Sequence, residues 1–115
     1  MHDLDALISL ICKHFTFTAA VYPELHGTSE EQCLAFALRH SALHFAKTAG
    51  KISAVSERVD HGEDLDMNEL RENVHKALIN TLRLADLVGL SGKDLIAAVE
   101  GKYQDTIERV RMNEV

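Results

Sequence analysis

The sequence predicts an all-α chain, and three features carry that prediction. Apolar residues recur at helical spacing over long stretches, side-chain capping signatures open the segments, and glycines close them. No stretch competes as a strand. The short connections imply antiparallel neighbours in a four-helix bundle.

Each element has its own punctuation. The first helix starts with Asp3 as N-cap and runs at least to Phe15, with Leu4, Leu7, Ile8, Ile11 and Phe15 on one face. Residues 15–21 are rich in aromatic and β-branched side chains. Tyr22-Pro23 and His26-Gly27 then mark a connector. The second helix opens on a capping box, Thr28 with Glu31 or Ser29 with Gln32, and ends at Asp60 before Gly62. At 1.5 Å per residue it spans roughly 45 Å. The third is capped by Asp66 with Glu69, carries Leu70, Val74, Ala77, Leu78, Leu82, Ala85 and Val88, and closes at Gly89. The fourth begins at Ser91 with Asp94 and carries Leu95, Ile96, Val99, Tyr103, Ile107 and Val110.

The second helix holds more apolar surface than one neighbour can cover. Leu38, Phe45, Ile52 and Val59 repeat every seven residues beside Leu34 and Ala49, which predicts the intramolecular face. Phe36, Leu43 and Ala54 point to the other side, flanked by the small Ala46 and Gly50. A second copy covering that strip, as a dimer or tetramer, is the expectation; the first helix wrapping over it within a monomer is the alternative.

The totals bound the function. With 115 residues and 46% apolar content, residues 1–115 read as a single domain with enough material for a helical core. A net charge of -6 argues against a nucleic-acid partner, because such binding is driven by clustered Lys and Arg. No run approaches the roughly 18 apolar residues of a membrane span. Asp3 and Asp5 stand where a signal peptide would be basic, so the expected location is the cytoplasm. Cys12 and Cys33 read as reduced small hydrophobes.

Two polar flanks carry the candidate chemistry. His40, His44, Thr48 and Lys51 fall along one side of the second helix, and Asn73, Lys76 and Asn80 along one side of the third. Facing each other, they make a partly cationic groove for a small anion or nucleotide; the alternative is a structural network with Lys51 and Lys76 paired to carboxylates such as Glu72. His40 and His44, at i and i+4, have the spacing of a metal pair without a visible third ligand. Acidic residues recur at Glu57, Asp60, Glu63, Asp66, Glu69 and Glu72 around the turn between the helices, either as a solvated turn or as a displaced magnesium site. No Ser-His-Asp or Cys-His signature and no Gly-rich phosphate loop is present.

Three stretches resemble a known family. Leu82-Arg83-Leu84-Ala85-Asp86-Leu87-Val88-Gly89-Leu90, then Asp94-Leu95-Ile96-Ala97-Ala98-Val99-Glu100-Gly101-Lys102, and upstream His44-Phe45-Ala46-Lys47-Thr48-Ala49-Gly50-Lys51-Ile52 are similar to segments of the MazG-like all-α nucleoside triphosphate pyrophosphohydrolases. The resemblance covers about residues 34–110. It implies a helical fold in which an E-E-x-x-E segment and an E-x-x-D segment hold Mg²⁺, which polarises the triphosphate and activates water. Here the matching positions are Lys47, Thr48 and Lys51, then Asn73 and Lys76, with Glu72 one residue off the pattern. An ammonium about 4 Å from a divalent ion is repelled by roughly 8 kcal/mol at an effective dielectric of 20.

The expected function is therefore a family member that has lost hydrolysis and binds a nucleotide or anion, or regulates, as an oligomer. Its candidate ligand-binding residues are His44, Lys47, Thr48 and Lys51 on the second helix, and Glu72, Asn73 and Lys76 on the third. The resemblance adds Lys102 and Arg109 with Thr106 in the last helix, where relatives hold phosphates; as ordinary helix-terminal cations they have a simpler explanation. No catalytic residue, metal or cofactor is expected. Two alternatives remain: an active Mg²⁺-dependent pyrophosphohydrolase using displaced carboxylates, and a helical interaction module with no small ligand.

Overall fold

The computed structural model describes residues 3–113 and is all-α. Its order is α1 (Leu4–His14), a 3₁₀ turn (Pro23–Leu25), α2 (Glu30–Asp60), α3 (Met67–Leu87) and α4 (Gly92–Asn113). No strand occurs among the described residues, and no helix of theirs is long and apolar enough to cross a membrane.

The helix ends follow the local chemistry of the sequence. Asp3 accepts from the Ala6 amide at 2.7 Å and Asp66 from the Glu69 amide at 3.0 Å, satisfying amides that the helix leaves free. At α2 the box uses Ser29 and Gln32, bonding reciprocally at 2.9 and 3.1 Å. The Thr28 hydroxyl instead donates to the Leu25 carbonyl at 2.6 Å, closing the 3₁₀ turn. Ser91 and Asp94 form a second reciprocal box at the start of α4. These hydrogen bonds hold the Asp94 carboxyl below its ordinary pKa. Gly62 and Gly89, at φ 85° and 79°, take the left-handed step after α2 and α3. The amide three residues past each helix then reaches back into the last turn, Glu63 to Arg58 at 3.0 Å and Leu90 to Ala85 at 2.8 Å.

α2 and α3 pack as an antiparallel hairpin whose register is set at two points. Arg58 Nη2 donates to Glu69 Oε2 at 2.6 Å near the turn, and Asn80 Nδ2 donates to Thr48 Oγ1 at 3.0 Å midway along. The seam on α2 is Ala37, Ser41, Thr48 and Val55, all buried. This corrects the expected intramolecular face. The Leu38, Phe45, Ile52 and Val59 stripe lies about 50° round the helix, at 100° per residue, and Leu34, Phe45 and Val59 stay exposed. Small residues at the seam let α3 approach closely, while the larger ones stand beside the contact. The opposite strip is also divided: Phe36 packs on Phe17 and Tyr22 of the connector, whereas Leu43 remains exposed.

α1 packs against α3. Ile8, Ile11 and Leu82 are buried together, with Leu4, Leu7, Cys12, Ile79 and Leu95 packed around them. Burial, then a hydrogen bond with Asp86, pushes the Cys12 thiol up to about 11, which suits an inert packing residue.

α4 does not close a four-helix bundle within one chain. It packs on α1, with Leu95 against the Ile8, Ile11 and Leu82 cluster, and Ile96, Val99, Tyr103, Ile107 and Val110 are exposed along it. The radius of gyration is 18.4 Å, against about 13 Å for a compact chain of this length. The root of α4 is tightly held. Gly92 donates its amide to Asp5 Oδ1 at 2.7 Å, and a Cβ there would sit 2.8 Å from both Leu4 Cβ and the Asp5 amide nitrogen.

Replacing a helical glycine by alanine ordinarily stabilises by roughly 1 kcal/mol. Gly92→Ala is expected to do the reverse, destabilising by about 1–3 kcal/mol in urea unfolding through overpacking against α1. Gly101→Ala, with no atom within 4 Å of the added Cβ, is the control and should stabilise. Stabilisation by both variants would refute the close approach.

Candidate functional site

The α2–α3 pairing leaves a groove on one side of the seam, with a volume of about 470 Å³, closed at one end by the connector. His40, His44, Lys47, Thr48 and Lys51 line it from α2, one turn after another. His75, Lys76, Ile79, Asn80 and Arg83 line it from α3, and Phe15 and Tyr22 complete it. The expected juxtaposition of the two polar flanks is what the helices make.

The nine candidate residues do not all arrive there. His44, Lys47, Thr48, Lys51 and Lys76 line the groove. Glu72 does not, and instead braces its rim: its two carboxylate oxygens lie 3.5 Å from Lys76 Nζ and 3.5 Å from His75 Nε2. The expected Lys76–Glu72 pairing is thus present, partly solvated and worth only a fraction of a kcal/mol to about 1 kcal/mol. Asn73 is buried in the seam, donating to the Glu69 carbonyl at 2.9 Å. Lys102 and Arg109 sit exposed on α4 and do not line the groove.

Arg83 is the residue that pattern reading passed over. It is only 8% exposed, with its guanidinium 4.4 Å from the Phe17 ring centre and 5.1 Å from that of Phe15. Nη2 donates to the Phe15 carbonyl at 3.1 Å, and no carboxylate of the described residues comes within 4.0 Å. Burial lowers its pKa from the usual value, yet a guanidinium stays charged at any ordinary pH. The one signal for it in the sequence is a charge between Leu82 and Leu84.

Aromatic rings form the end wall. Phe17 and Tyr22 stack at 5.6 Å, Tyr22 tilts against Phe36 at 5.2 Å, and Phe36 stacks on His40 at 5.6 Å. His40 Nε2 lies 3.2 Å from the Tyr22 hydroxyl and 3.0 Å from His44 Nε2. In the tautomer with its lone pair on Nε2, neutral His40 accepts one hydrogen bond, from the Tyr22 hydroxyl or from His44 Nε2. Burial first, then the charges of His44 and Arg83, push the His40 pKa below 6.5; Glu24 opposes them weakly.

The donor set does not suit magnesium. Mg²⁺ requires oxygen ligands, chiefly carboxylates and water, whereas the groove offers ammonium, imidazole and guanidinium groups with Thr48 and Asn80. The acidic turn offers no alternative cluster: Glu69 is paired with Arg58 at 2.6 Å and Glu57 with His61 at 3.6 Å. Among the described residues no three of His, Cys, Asp and Glu converge as a metal site. No family model, curated protein or solved structure matches this chain. The functional reading therefore rests on the groove itself.

His40 should titrate below 6.5 when followed by NMR. Its folded form resists a proton that the unfolded chain accepts, so its contribution to stability is intact above pH 6.5 and is lost as pH falls below that value. A His40 pKa at or above 6.5 would overturn the described environment.

Proposed function

We propose that this chain is a MazG-like helical protein without nucleotide pyrophosphohydrolase activity that binds a nucleotide or related phosphate-bearing anion and works as a homo-oligomer in a regulatory or sequestering role. The observation that carries the reading is the lining of the α2–α3 groove: Lys47, Lys51, Lys76 and Arg83 with no carboxylate among them. With Glu72 bracing Lys76 only from the rim and no carboxylate in the lining, such a concave site favours an anionic occupant, because the ligand supplies the missing charge. The volume of about 470 Å³ is in the range of small-molecule sites. The aromatic end at Phe15 and Tyr22 suits a planar base, and the lysines suit its phosphates.

The residues that would hold Mg²⁺ in the family are basic or neutral here, which supports binding without hydrolysis. The unpaired thiols of Cys12 and Cys33 fit a cytoplasmic setting. Self-association is supported by a different observation, the exposed apolar line of α4 together with the uncovered Leu34, Phe45 and Val59 on α2. A dimer or tetramer with α4 laid across a second copy would bury both.

Calorimetric titration with nucleoside mono-, di- and triphosphates is expected to give saturable binding of one ligand per chain, strengthening with phosphate number. No heat with any of them would leave a helical interaction module as the better description. Incubation with the common nucleoside triphosphates and Mg²⁺ should release no pyrophosphate; steady release would overturn the inactive reading.

Light scattering should give a mass that is a multiple of 12.8 kDa at micromolar concentration. The double variant Val99→Glu, Ile107→Glu should shift it to one chain without loss of groove binding. A compact monomer for the unmodified chain would refute self-association.

A further inference from the structure

The geometry points to a more specific occupant: the groove takes its polyphosphate free of metal, and magnesium competes with the protein for the ligand. This rests on the binding reading above. Lys47 and Lys51 are one helical turn apart on α2, about 6 Å between their Cβ atoms, so their ammonium groups can reach neighbouring phosphates of one chain. Lys76 approaches from α3, on the far side of the same groove. Arg83 is nine-tenths buried at its end, with a single hydrogen bond to the Phe15 carbonyl and further N–H groups to offer.

These groups perform the neutralisation that a divalent ion performs for a polyphosphate in water. A chelated ion would occupy the same phosphate oxygens that the lysines address. It would also bring its own charge among ammonium groups with no carboxylate in the lining to receive it. Glu72 lies outside the lining, with its oxygens 3.5 Å from His75 Nε2 and Lys76 Nζ. The occupant is therefore a di- or triphosphate, nucleoside-linked or inorganic, in its unchelated form.

The test is calorimetric titration of the full chain with ADP and with inorganic tripolyphosphate at matched ionic strength, once with EDTA and once with excess magnesium chloride. Affinity is expected to be higher in EDTA, by roughly tenfold or more, because chelation removes the charge that the lysines recognise. Equal or tighter binding in magnesium would overturn the metal-free assignment while leaving groove binding intact; no binding in either arm would overturn both. Lys51→Gln and Lys76→Gln, checked for unchanged helical circular dichroism, should weaken the EDTA-arm affinity and shrink the magnesium effect. Lys102→Gln, on the free length of α4, should change neither. A magnesium effect undiminished by the Lys51 and Lys76 variants would place the ligand elsewhere and refute the assignment.

Discussion

Everything in this molecule depends on the register between α2 and α3. Two hydrogen bonds, Arg58 to Glu69 and Asn80 to Thr48, fix which turn of one helix meets which turn of the other. The seam between them is thin and partly polar. Ser41 Oγ and Asn73 Oδ1 are buried in it without partners, a cost that larger apolar cores avoid. A slide of one turn would carry Lys51 away from Lys76 and leave Arg83 without its aromatic cover. Groove and hairpin are one object, and the chemistry of the first is held by the packing of the second.

The groove accumulates like charges in a confined space, which is unfavourable unless something answers them. Part of the answer is internal: Glu72 braces Lys76 and His75, the rings of Phe15 and Phe17 face the Arg83 guanidinium, and His40 stays neutral. The remainder falls to solvent or to a bound anion. That imbalance separates this groove from an ordinary solvated helix surface, where lysines alternate with carboxylates along each face.

How much was legible in the sequence follows from which interactions are local. Caps were readable because a cap is a contract among four residues; Asp3, Asp66, Ser91 and the glycines at 62 and 89 all act as their neighbours predict. The α2 side of the groove was readable because helical periodicity puts His40, His44, Thr48 and Lys51 on one flank, and the family resemblance adds Lys47. The phase of the α2 contact was not, because hydropathy marks surfaces that need cover without saying what covers them. Ala37, Ser41 and Thr48 make the actual seam and carry little hydropathic weight. Arg83 and its rings were missed for another reason: the connector reaches them by a path with no period. Lys102 and Arg109 could be placed at the groove only by assuming that α4 returns to the hairpin, and no residue of α4 states its direction.

The pinch at Gly92 separates two properties that a closed bundle would entangle. α4 leaves the body of the molecule from that single point, so its angle is set by a few atoms around Leu4 and Asp5. Substitutions along residues 96–112 alter the exposed apolar line of α4, and substitutions along the hairpin alter the charge of the groove, each with little effect on the other. Surface hydropathy and groove charge are in this sense separately heritable traits of one short polypeptide.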